Sequence, residues 1–420
     1  MKLLAVILLM ITLTACHAQP RQEAVPTAAA AERSLLVGAD VLLHGGYAVG
    51  DGRRVAIVGN QTSLVGSTHL VDTLLSSGVK IVKIFCPEHG FRGNAEAGAH
   101  VASGTDPATG LPVVSLYGNN KKPTPAQMAD VDVVLFDLQD VGCRFYTYIS
   151  TLHYVMEACA ESDIPLIVLD RPNPNGHYVD GPVLEPQYTS FIGMHPVPIV
   201  YGLTIGEYAQ MINGERWLKD SLLCQLTVVP MQGYCRDSVY PLPVAPSPNL
   251  QTMHAVALYP SLCLFEGTNI SVGRGTGSPF EVIGSPDFAP KDSIAEYRIA
   301  TFTPRPIKGV SENPPFKGRV CRGLDLRDVR VPAKFDLGYL MLMYRSTPHD
   351  TFFKKSNSFE KLAGTATLRR QLQQGVSEKE IRASWEPALS HYKQLRKKYL
   401  IYPDATGNRN PESQNRNTRQ

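Results

Sequence analysis

The stretch Val79–Gly93, VKIVKIFCPEHGFRG, is the clearest indication of the fold class in this sequence. An apolar run rich in β-branched residues ends at Pro87, and the polar side chains Glu88, His89 and Arg92 follow at once. Such a run predicts a strand that is buried on both faces of a parallel sheet. Charged groups at its carboxyl end indicate a ligand site, because open α/β sheets bind their ligands at that end of the strands.

Further apolar runs along the first half of the chain alternate with helical patterns. The predicted strands are 54–58, 79–85, 131–136, 165–169 and 226–229, and the predicted helices are 68–77, 147–161 and 204–219. This alternation predicts an α/β fold with a Rossmann-like, doubly wound parallel sheet and right-handed crossovers. The chain has no strand that leads into GxGxxG, no Walker A sequence and no GxSxG elbow, so no nucleotide cofactor is predicted.

Length and composition predict a globular protein of two domains. The chain has 420 residues and a net charge of +3, which is too small to indicate a nucleic-acid partner. Residues 34–253 are predicted to form the Rossmann-like domain. After the Pro-rich segment PLPVAPSPNL, residues 254–403 are predicted to form a smaller α+β domain, and the polar residues 404–420 a disordered tail.

The N-terminus has the pattern of an export signal. Lys2 precedes a short apolar run that ends in Leu13-Thr14-Ala15-Cys16. This ending resembles a bacterial lipobox, which implies that residues 1–16 contain a signal peptide, that Cys16 is lipidated and that residues 17–33 are a tether. Cleavage nearby without lipidation is the alternative. The protein is therefore expected in the bacterial envelope, facing the periplasm because no acidic cluster follows Cys16.

Three polar motifs directly follow predicted strands. Because the carboxyl ends of parallel strands lie at the same edge of a sheet, these motifs are expected to lie close together. They are PEHGFRG (87–93), DLQDVGCRFY (137–146) and DRPNPNG (170–176). A fourth segment, LFEGTN (264–269), continues to Arg274 and Glu281 and could close the site from the second domain. Their convergence on one crevice is the main argument for an active site.

Carboxyl groups and cations dominate the candidate residues. Glu88 is the first candidate acid or base, and Asp140, Glu266 and Glu281 are candidates for a second carboxylate. Arg171 could grip a carboxylate with two parallel hydrogen bonds, or pair with a local aspartate instead. His89 could orient a neighbouring group through a hydrogen bond, which is the more common role of a single histidine after a glutamate. Metal binding by His89 is the alternative. No metal site is predicted. The substrate-binding candidates are His89, Arg92, Arg144, Tyr146, Arg171, Asn173, Asn269, Arg274 and Glu281.

Several long motifs together resemble one family. PEHGFRG, FDLQDVGCRFYTYI, VLDRPNPNG, LTIGEYA, PSPNL and YPSLCLFEGTNISVGRGTGSPFEVIG are similar to those of the NamZ-type exo-β-N-acetylmuramidases, once a domain of unknown function. The resemblance covers about residues 34–403. It implies a hydrolase that releases N-acetylmuramic acid from the non-reducing ends of peptidoglycan fragments during cell-wall turnover. It implies that Glu88 is catalytic, that muramyl sugars are the partners, and that a lipid anchor is the membrane contact.

The resemblance leaves the second catalytic group and the anion site open. A second carboxylate could complete the chemistry, or the acetamido group of the substrate could itself attack the anomeric carbon. The lactyl carboxylate of muramic acid calls for a cation, and Arg171, Arg274, Arg144 and Arg92 are the candidates. Two rival functions are a metal-dependent deacetylase or amidase that uses His89, Asp137 and Asp140, and a non-catalytic wall-binding lipoprotein.

Overall fold

The computed structural model describes the chain from Leu35 to Asp404 with short gaps. The described residues are 35–45, 49, 52–88, 90–92, 103–237, 240–290 and 294–404. The predictions for the signal peptide, Cys16, the tether, His89 and almost all of the C-terminal tail lie outside these residues.

Strands and helices alternate through the first half of the described chain. The strands are β1 (Val55–Gly59), β2 (Leu64–Val65), β3 (Thr68–His69), β4 (Ile81–Cys86), β5 (Gly104–Thr105), β6 (Pro112–Ser115), β7 (Val133–Asp137), β8 (Leu166–Leu169), β9 (Leu226–Val229), β10 (Val282–Ser285), β11 (Arg298–Phe302) and β12 (Cys321–Asp325). The α-helices are α1 (Gly38–His44), α2 (Leu70–Ser76), α3 (Pro125–Met128), α4 (Tyr148–Glu161), α5 (Ile205–Gly214), α6 (Met253–Leu262), α7 (Gly338–Arg345), α8 (His349–Phe352), α9 (Ser358–Ala363), α10 (Thr367–Gln373) and α11 (Glu378–Arg396). Among the residues that the structure describes, no helix combines the length and the hydrophobicity that a transmembrane span requires.

The central sheet has the strand order of a doubly wound fold. Its seven strands run in the order β5-β6-β4-β1-β7-β8-β9, and every pairing is parallel except that of β5 with β6. Counted along the chain, the six parallel strands have the order 3-2-1-4-5-6. The order reverses between β1 and β7, and at such a switch point the connections leave to opposite faces of the sheet and open a crevice.

Both faces of the central sheet are covered, as the apolar runs predicted. All five residues of β1 are buried. Ala56 and Val58 pack into the core on one face, and Val55 and Ile57 pack into the core on the other. Alternate side chains of a strand point to opposite faces, so a strand that is apolar at every position must lie between two layers.

A smaller second domain follows the central sheet. It contains a three-stranded antiparallel sheet in the order β10-β12-β11, together with helices α6 to α11. The hydrophobic core is continuous between the domains, since Tyr259 and Phe280 pack in the same cluster as Phe136 and Tyr146. The predicted fold class, a Rossmann-like sheet with a smaller α+β domain, is confirmed. The boundary at residues 253 and 254 stays a prediction.

The end of the described chain returns to the first domain. The hydroxyl of Tyr392 in α11 donates to the carbonyl oxygen of Tyr201 at 2.7 Å, and Arg396 donates to the carbonyl oxygen of Gly202. Farther on, the hydroxyl of Tyr402 donates to Asp170, directly after β8, at 2.7 Å. The last described segment therefore stabilises the edge of the sheet that carries the polar motifs.

A buried ion pair joins the ends of the two strands beyond the switch point. Arg171, two residues after β8, donates through Nε and Nη2 to the two oxygens of Asp137, the last residue of β7, at 2.5 and 2.9 Å. Nη2 also donates to the carbonyl oxygen of Leu64. Both side chains are almost fully buried. A bidentate pair of this kind fixes the geometry of both partners.

The substitution Asp137→Asn should destabilise the protein strongly, because it leaves the buried Arg171 guanidinium without its counter-charge. We expect the free energy of unfolding in urea to fall by about 3–5 kcal/mol. The matched control is Asp328→Asn, which removes the partner of Arg298 from an ion pair whose side chains are 65% and 79% exposed. This control should change stability little. Equal effects of the two substitutions would contradict a structural role for the buried pair.

Candidate active site

Glu88 lies beside the switch point of the sheet. It follows β4, the neighbour of β1, with only Pro87 between, and its side chain is half-buried. Phe85, three residues earlier, is completely buried, and Phe91, three residues later, is nearly so. The sheet therefore presents one carboxyl group at its carboxyl edge, between apolar neighbours and solvent, where an acid or base can reach a ligand.

Two hydroxyl groups surround the Glu88 carboxylate. Thr147, the residue before α4, donates through Oγ1 to Oε2 of Glu88 at 3.1 Å. Tyr117, just after β6, also contacts Glu88: burial and then the Glu88 charge raise the pKa of this tyrosine. The carboxylate also lies at the N-terminal end of the 14-residue helix α4, where the helix dipole favours negative charge. Strands β4 and β6 and helix α4 thus position Glu88 together.

Asp140, after β7, is a second carboxyl group but is hidden from solvent. Its Oδ2 accepts hydrogen bonds from the amide of Gly142 at 2.6 Å and from the hydroxyl of Tyr201. Its Oδ1 is buried and has no hydrogen-bond partner among the described residues. Burial raises the pKa of Asp140 to about 7, although the Tyr201 hydroxyl and nearby amides oppose the shift. Below that pH this group is a neutral acid rather than a nucleophile or base.

Aromatic rings connect the Glu88 region to the second domain. The rings of Tyr148 and Tyr146 have centroids 4.7 Å apart, those of Tyr146 and Tyr259 6.1 Å, and those of Tyr259 and Phe280 5.1 Å. Burial, followed by neighbouring groups that include Asp140 and Glu88, raises the pKa of Tyr146. We call these four rings the aromatic wall. Because burial raises the pKa of both Tyr146 and Tyr148, their hydroxyl groups are neutral.

At the far end of the aromatic wall the second domain supplies a carboxylate and a guanidinium. Glu266 accepts a hydrogen bond from Nε of Arg274 at 2.6 Å, and the Arg274 guanidinium lies 5.3 Å from the centroid of Phe280. Both side chains remain partly exposed. Burial and nearby charges that include Glu266 raise the pKa of Tyr259. Of the predicted residues, Glu266 and Arg274 therefore lie at one end of the aromatic wall. Tyr146, whose pKa responds to Glu88 and Asp140, lies toward the other end.

The Pro-rich connection between the domains packs against the same rings. The carbonyl oxygen of Pro246 accepts hydrogen bonds from the hydroxyls of Tyr146 and Tyr148, at 2.7 and 3.4 Å. Gln61, after β1, reaches the carbonyl oxygens of Ala245 and Pro246. The connection is thus anchored over the switch point rather than free of the two domains.

Three of the predicted arginines are already engaged elsewhere. Arg144 is fully buried and donates to the carbonyl oxygens of residues 182, 197 and 362, and burial lowers its pKa to about 9. Arg171 binds Asp137, which was the alternative that the sequence left open. Arg92 pairs with Asp106 through two hydrogen bonds of 3.1 and 2.8 Å. The structure therefore corrects the expectation that Arg144 or Arg171 faces a substrate.

The remaining predicted residues make local contacts. The amide of Asn173 is buried and bonds to the carbonyl oxygen of Leu203 and to the backbone amide of Asn175, which is turn chemistry. Asn269 is exposed and donates to the carbonyl oxygen of Thr351. Glu281 accepts a hydrogen bond from Thr252, the residue that caps α6. These three residues are not brought to Glu88.

The sequence reasoning missed the polar groups that contact the predicted carboxyl groups. Thr147 stands at the N-cap position of α4 but uses its hydroxyl for Glu88 instead of the helix, and a threonine before a helical pattern could have indicated this position. Tyr117 follows β6, which is only four residues long and partly exposed, and no strand was predicted there. Tyr201 reaches Asp140 from 61 residues away, and no local pattern could have revealed that contact.

The described residues offer no group of three or more His, Cys, Asp or Glu side chains placed to hold a metal ion. Asp137, a ligand in the rival metal hypothesis, uses both carboxylate oxygens for Arg171. His89, the other distinctive ligand of that hypothesis, lies outside the described residues.

The chain is thus a two-domain, Rossmann-like protein with a half-buried glutamate beside the switch point of its sheet. The chain belongs to the exo-β-N-acetylmuramidase NamZ family. The model of the N-terminal domain of that family matches residues 55–254, and the model of its C-terminal domain matches residues 257–402.

Relatives of known sequence or structure agree with this membership. The chain is 40% identical over 417 residues to the peptidoglycan β-N-acetylmuramidase NamZ of Bacillus subtilis strain 168, covering 93% of this chain and 96% of that protein. Two DUF1343 family proteins of Bacteroides fragilis NCTC 9343 have similar crystal structures. Their TM-scores are 0.79 and 0.75 at 42% and 29% identity, and each match covers 88% of this chain and 99% of the other.

The raised pKa of Asp140 predicts a particular pH dependence of stability. Above about pH 4 the carboxyl group ionises in the unfolded chain but stays protonated in the folded protein up to about pH 7. Relative to Asp140→Asn, the wild type should therefore lose up to roughly 4 kcal/mol of unfolding free energy as pH rises through this window. Urea unfolding across the pH range measures this difference.

The control for that experiment is Asp106→Asn. The pKa of Asp106 is lowered by its bonds to Arg92 and Thr109, which outweigh the opposing effect of burial. Its contribution should therefore be constant above about pH 5 and lost only in acid. Parallel pH profiles for the wild type and Asp140→Asn would show that Asp140 is ionised in the folded protein.

Proposed function

We propose that this protein is an exo-acting glycoside hydrolase that releases N-acetylmuramic acid from the non-reducing ends of peptidoglycan fragments. The observation that carries the proposal is Glu88, the glutamate of the PEHG motif, half-buried beside the switch point and hydrogen-bonded by Thr147. Family membership along both domains supports the same reaction. Release of muramic acid from wall fragments is a step of cell-wall turnover.

Glycoside hydrolysis needs a proton for the leaving oxygen and stabilisation of an oxocarbenium-like transition state. In the proposed mechanism Glu88 transfers the proton, and Thr147 holds its other carboxylate oxygen in place. Asp140 is too deeply buried to touch a sugar, and Glu281 is engaged at the start of α6. Glu266 is therefore the second carboxylate in this proposal, oriented by Arg274, and it either stabilises the anomeric carbon or orients the acetamido group of the substrate.

The substitution Glu88→Gln should abolish proton transfer while it preserves shape. We expect kcat for release of N-acetylmuramic acid from a muramic-acid-terminated disaccharide to fall by about 10²–10⁴-fold, with little change in KM. The exposed Glu296→Gln is the matched control and should keep the full rate. The glucosamine-terminated disaccharide should not be cleaved.

Different outcomes of this assay separate the proposal from its rivals. A rate that a chelator abolishes and a divalent ion restores would favour the metal-dependent hydrolase. Binding without sugar release would favour a wall-binding protein. A Glu88→Gln enzyme with the full rate would remove Glu88 from the reaction.

We also propose that the protein acts outside the cytoplasm, facing the periplasm and anchored in the envelope through a lipid on Cys16. The support is the N-terminal sequence, in which a lysine and a short apolar run lead to Leu-Thr-Ala-Cys, and the extracytoplasmic location of peptidoglycan.

The anchor makes a separate prediction. In cells labelled with a fatty acid, the wild type should carry the label and sediment with membranes, whereas Cys16→Ser should do neither, because the acceptor thiol is gone. Cys235→Ser, which replaces another exposed cysteine, should behave like the wild type. Label retained on Cys16→Ser would contradict lipidation at this residue.

A further inference from the structure

An aromatic surface that no motif pointed to begins at Glu88. Tyr117, which contacts the glutamate, has its ring centroid 6.3 Å from that of Phe191. The ring of Tyr154 stacks against the other end of this pair, 6.3 Å from Phe191 at an interplanar angle of 18°. The ammonium group of Lys121 lies 4.8 Å from the centroid of Phe191. All four side chains are half-exposed, and we call them the aromatic shelf.

Helix α4 fixes where the aromatic shelf lies relative to Glu88. Thr147, Ser150 and Tyr154 are spaced by three and four residues and therefore lie on one face of the helix. Thr147 binds Glu88, Ser150 donates to the carbonyl oxygen of Phe191 at 2.7 Å, and Tyr154 belongs to the shelf itself. From Thr147 to Tyr154 the helix rises about 10 Å. The shelf thus extends from the catalytic glutamate over a length suited to a sugar with its substituents.

Lys121 has a charge that the described chain leaves without an acidic partner. No carboxylate of the described residues lies within ion-pair distance of its ammonium group, whereas its neighbour Lys122 pairs with both Glu157 and Glu161. The arginines proposed to bind the lactyl group are each paired with a carboxylate or, for Arg144, enclosed among carbonyl oxygens. An ammonium group has three donors, so its position over a ring leaves donors for an anion.

We propose that the aromatic shelf binds the N-acetylmuramic acid unit of the substrate and that Lys121 binds its lactyl carboxylate. The apolar face of a pyranose ring packs on aromatic side chains, and the three rings supply that surface. The lactyl carboxylate distinguishes N-acetylmuramic acid from N-acetylglucosamine. A charge-assisted hydrogen bond from Lys121 to this carboxylate therefore favours binding of the muramic acid. This proposal rests on the proposed function and adds the residue that recognises the lactyl carboxylate of the substrate.

A double-mutant cycle between protein and ligand tests the contact between Lys121 and the carboxylate. Calorimetry measures the binding of N-acetylmuramic acid and of its lactyl methyl ester, which lacks the charge and adds only one methyl group. The wild type should prefer the acid by about tenfold or more, and Lys121→Met should show no preference. Lys121→Arg should retain most of it. Lys80→Met is the control, since this exposed lysine precedes β4 at the opposite end of the strand, and it should behave like the wild type.

A second variant tests the shelf without changing charge. Phe191→Leu keeps an apolar side chain but removes the ring face, so it should weaken the acid and the ester by the same factor. Its circular dichroism spectrum and unfolding midpoint verify that it folds. Unchanged affinity for both ligands would show that the sugar does not lie on the shelf.

The outcomes keep this proposal distinct from the proposed function. If the wild type cleaves the muramic-acid-terminated disaccharide but Lys121→Met still prefers the acid as the wild type does, Lys121 is not the reader, and the hydrolase assignment stands. If the wild type cleaves neither disaccharide, the hydrolase assignment fails whatever the binding cycle gives.

Discussion

The buried ion pair between Asp137 and Arg171 is the interaction on which the carboxyl edge of the sheet depends. It joins the ends of β7 and β8, and Arg171 also binds the carbonyl oxygen of Leu64. Ser63 reaches the carbonyl oxygen of Asp137 as well. Three segments that are far apart in the chain are thereby held at one point, immediately beside the switch between β1 and β7. The segment with Asp140 and Thr147 starts from this fixed end.

A division among the carboxyl groups follows from how deeply each is buried. Asp137 is bound through both oxygens by the Arg171 guanidinium, Asp140 is held neutral up to about pH 7 by burial, and Glu88 alone of these three reaches solvent. One sheet edge therefore contains a structural anion, a neutral acid and a group able to exchange protons with a ligand. Environment, rather than residue type, separates their roles.

The second domain completes the site instead of merely covering it. Glu266 and Arg274 stand at one end of the aromatic wall, and Tyr146 and Tyr148 at the other, beside Glu88. The Pro-rich connection bonds to the same tyrosines through Pro246. Because the core is continuous across the domains, the rings that separate the carboxylates are packed from both sides and hold their positions.

Local pattern determined much of this protein. The apolar runs predicted five strands of the central sheet within about two residues, and the PEHG motif follows β4 directly. The helix predicted to start at residue 204 begins at Ile205, after a capping box formed by Thr204 and Glu207. These features depend on continuous apolar runs and on contacts three residues apart, which a sequence displays directly. Strand β6 was not predicted because it is short and partly exposed. Tyr117, which follows this strand, was therefore not identified as a neighbour of Glu88.

Which polar groups contact one another depends on how distant segments of the chain pack. Arg144 and Arg171 have the same chemistry as an anion-binding arginine, yet one is enclosed among carbonyl oxygens and the other is bound to Asp137. Lys121 was not singled out in the sequence. It acquires its significance from Phe191, which is 70 residues away, and from the lack of a carboxylate within ion-pair distance among the described residues. The partner of a charge is set by packing across distant segments, so no local pattern reveals whether that charge is satisfied or available.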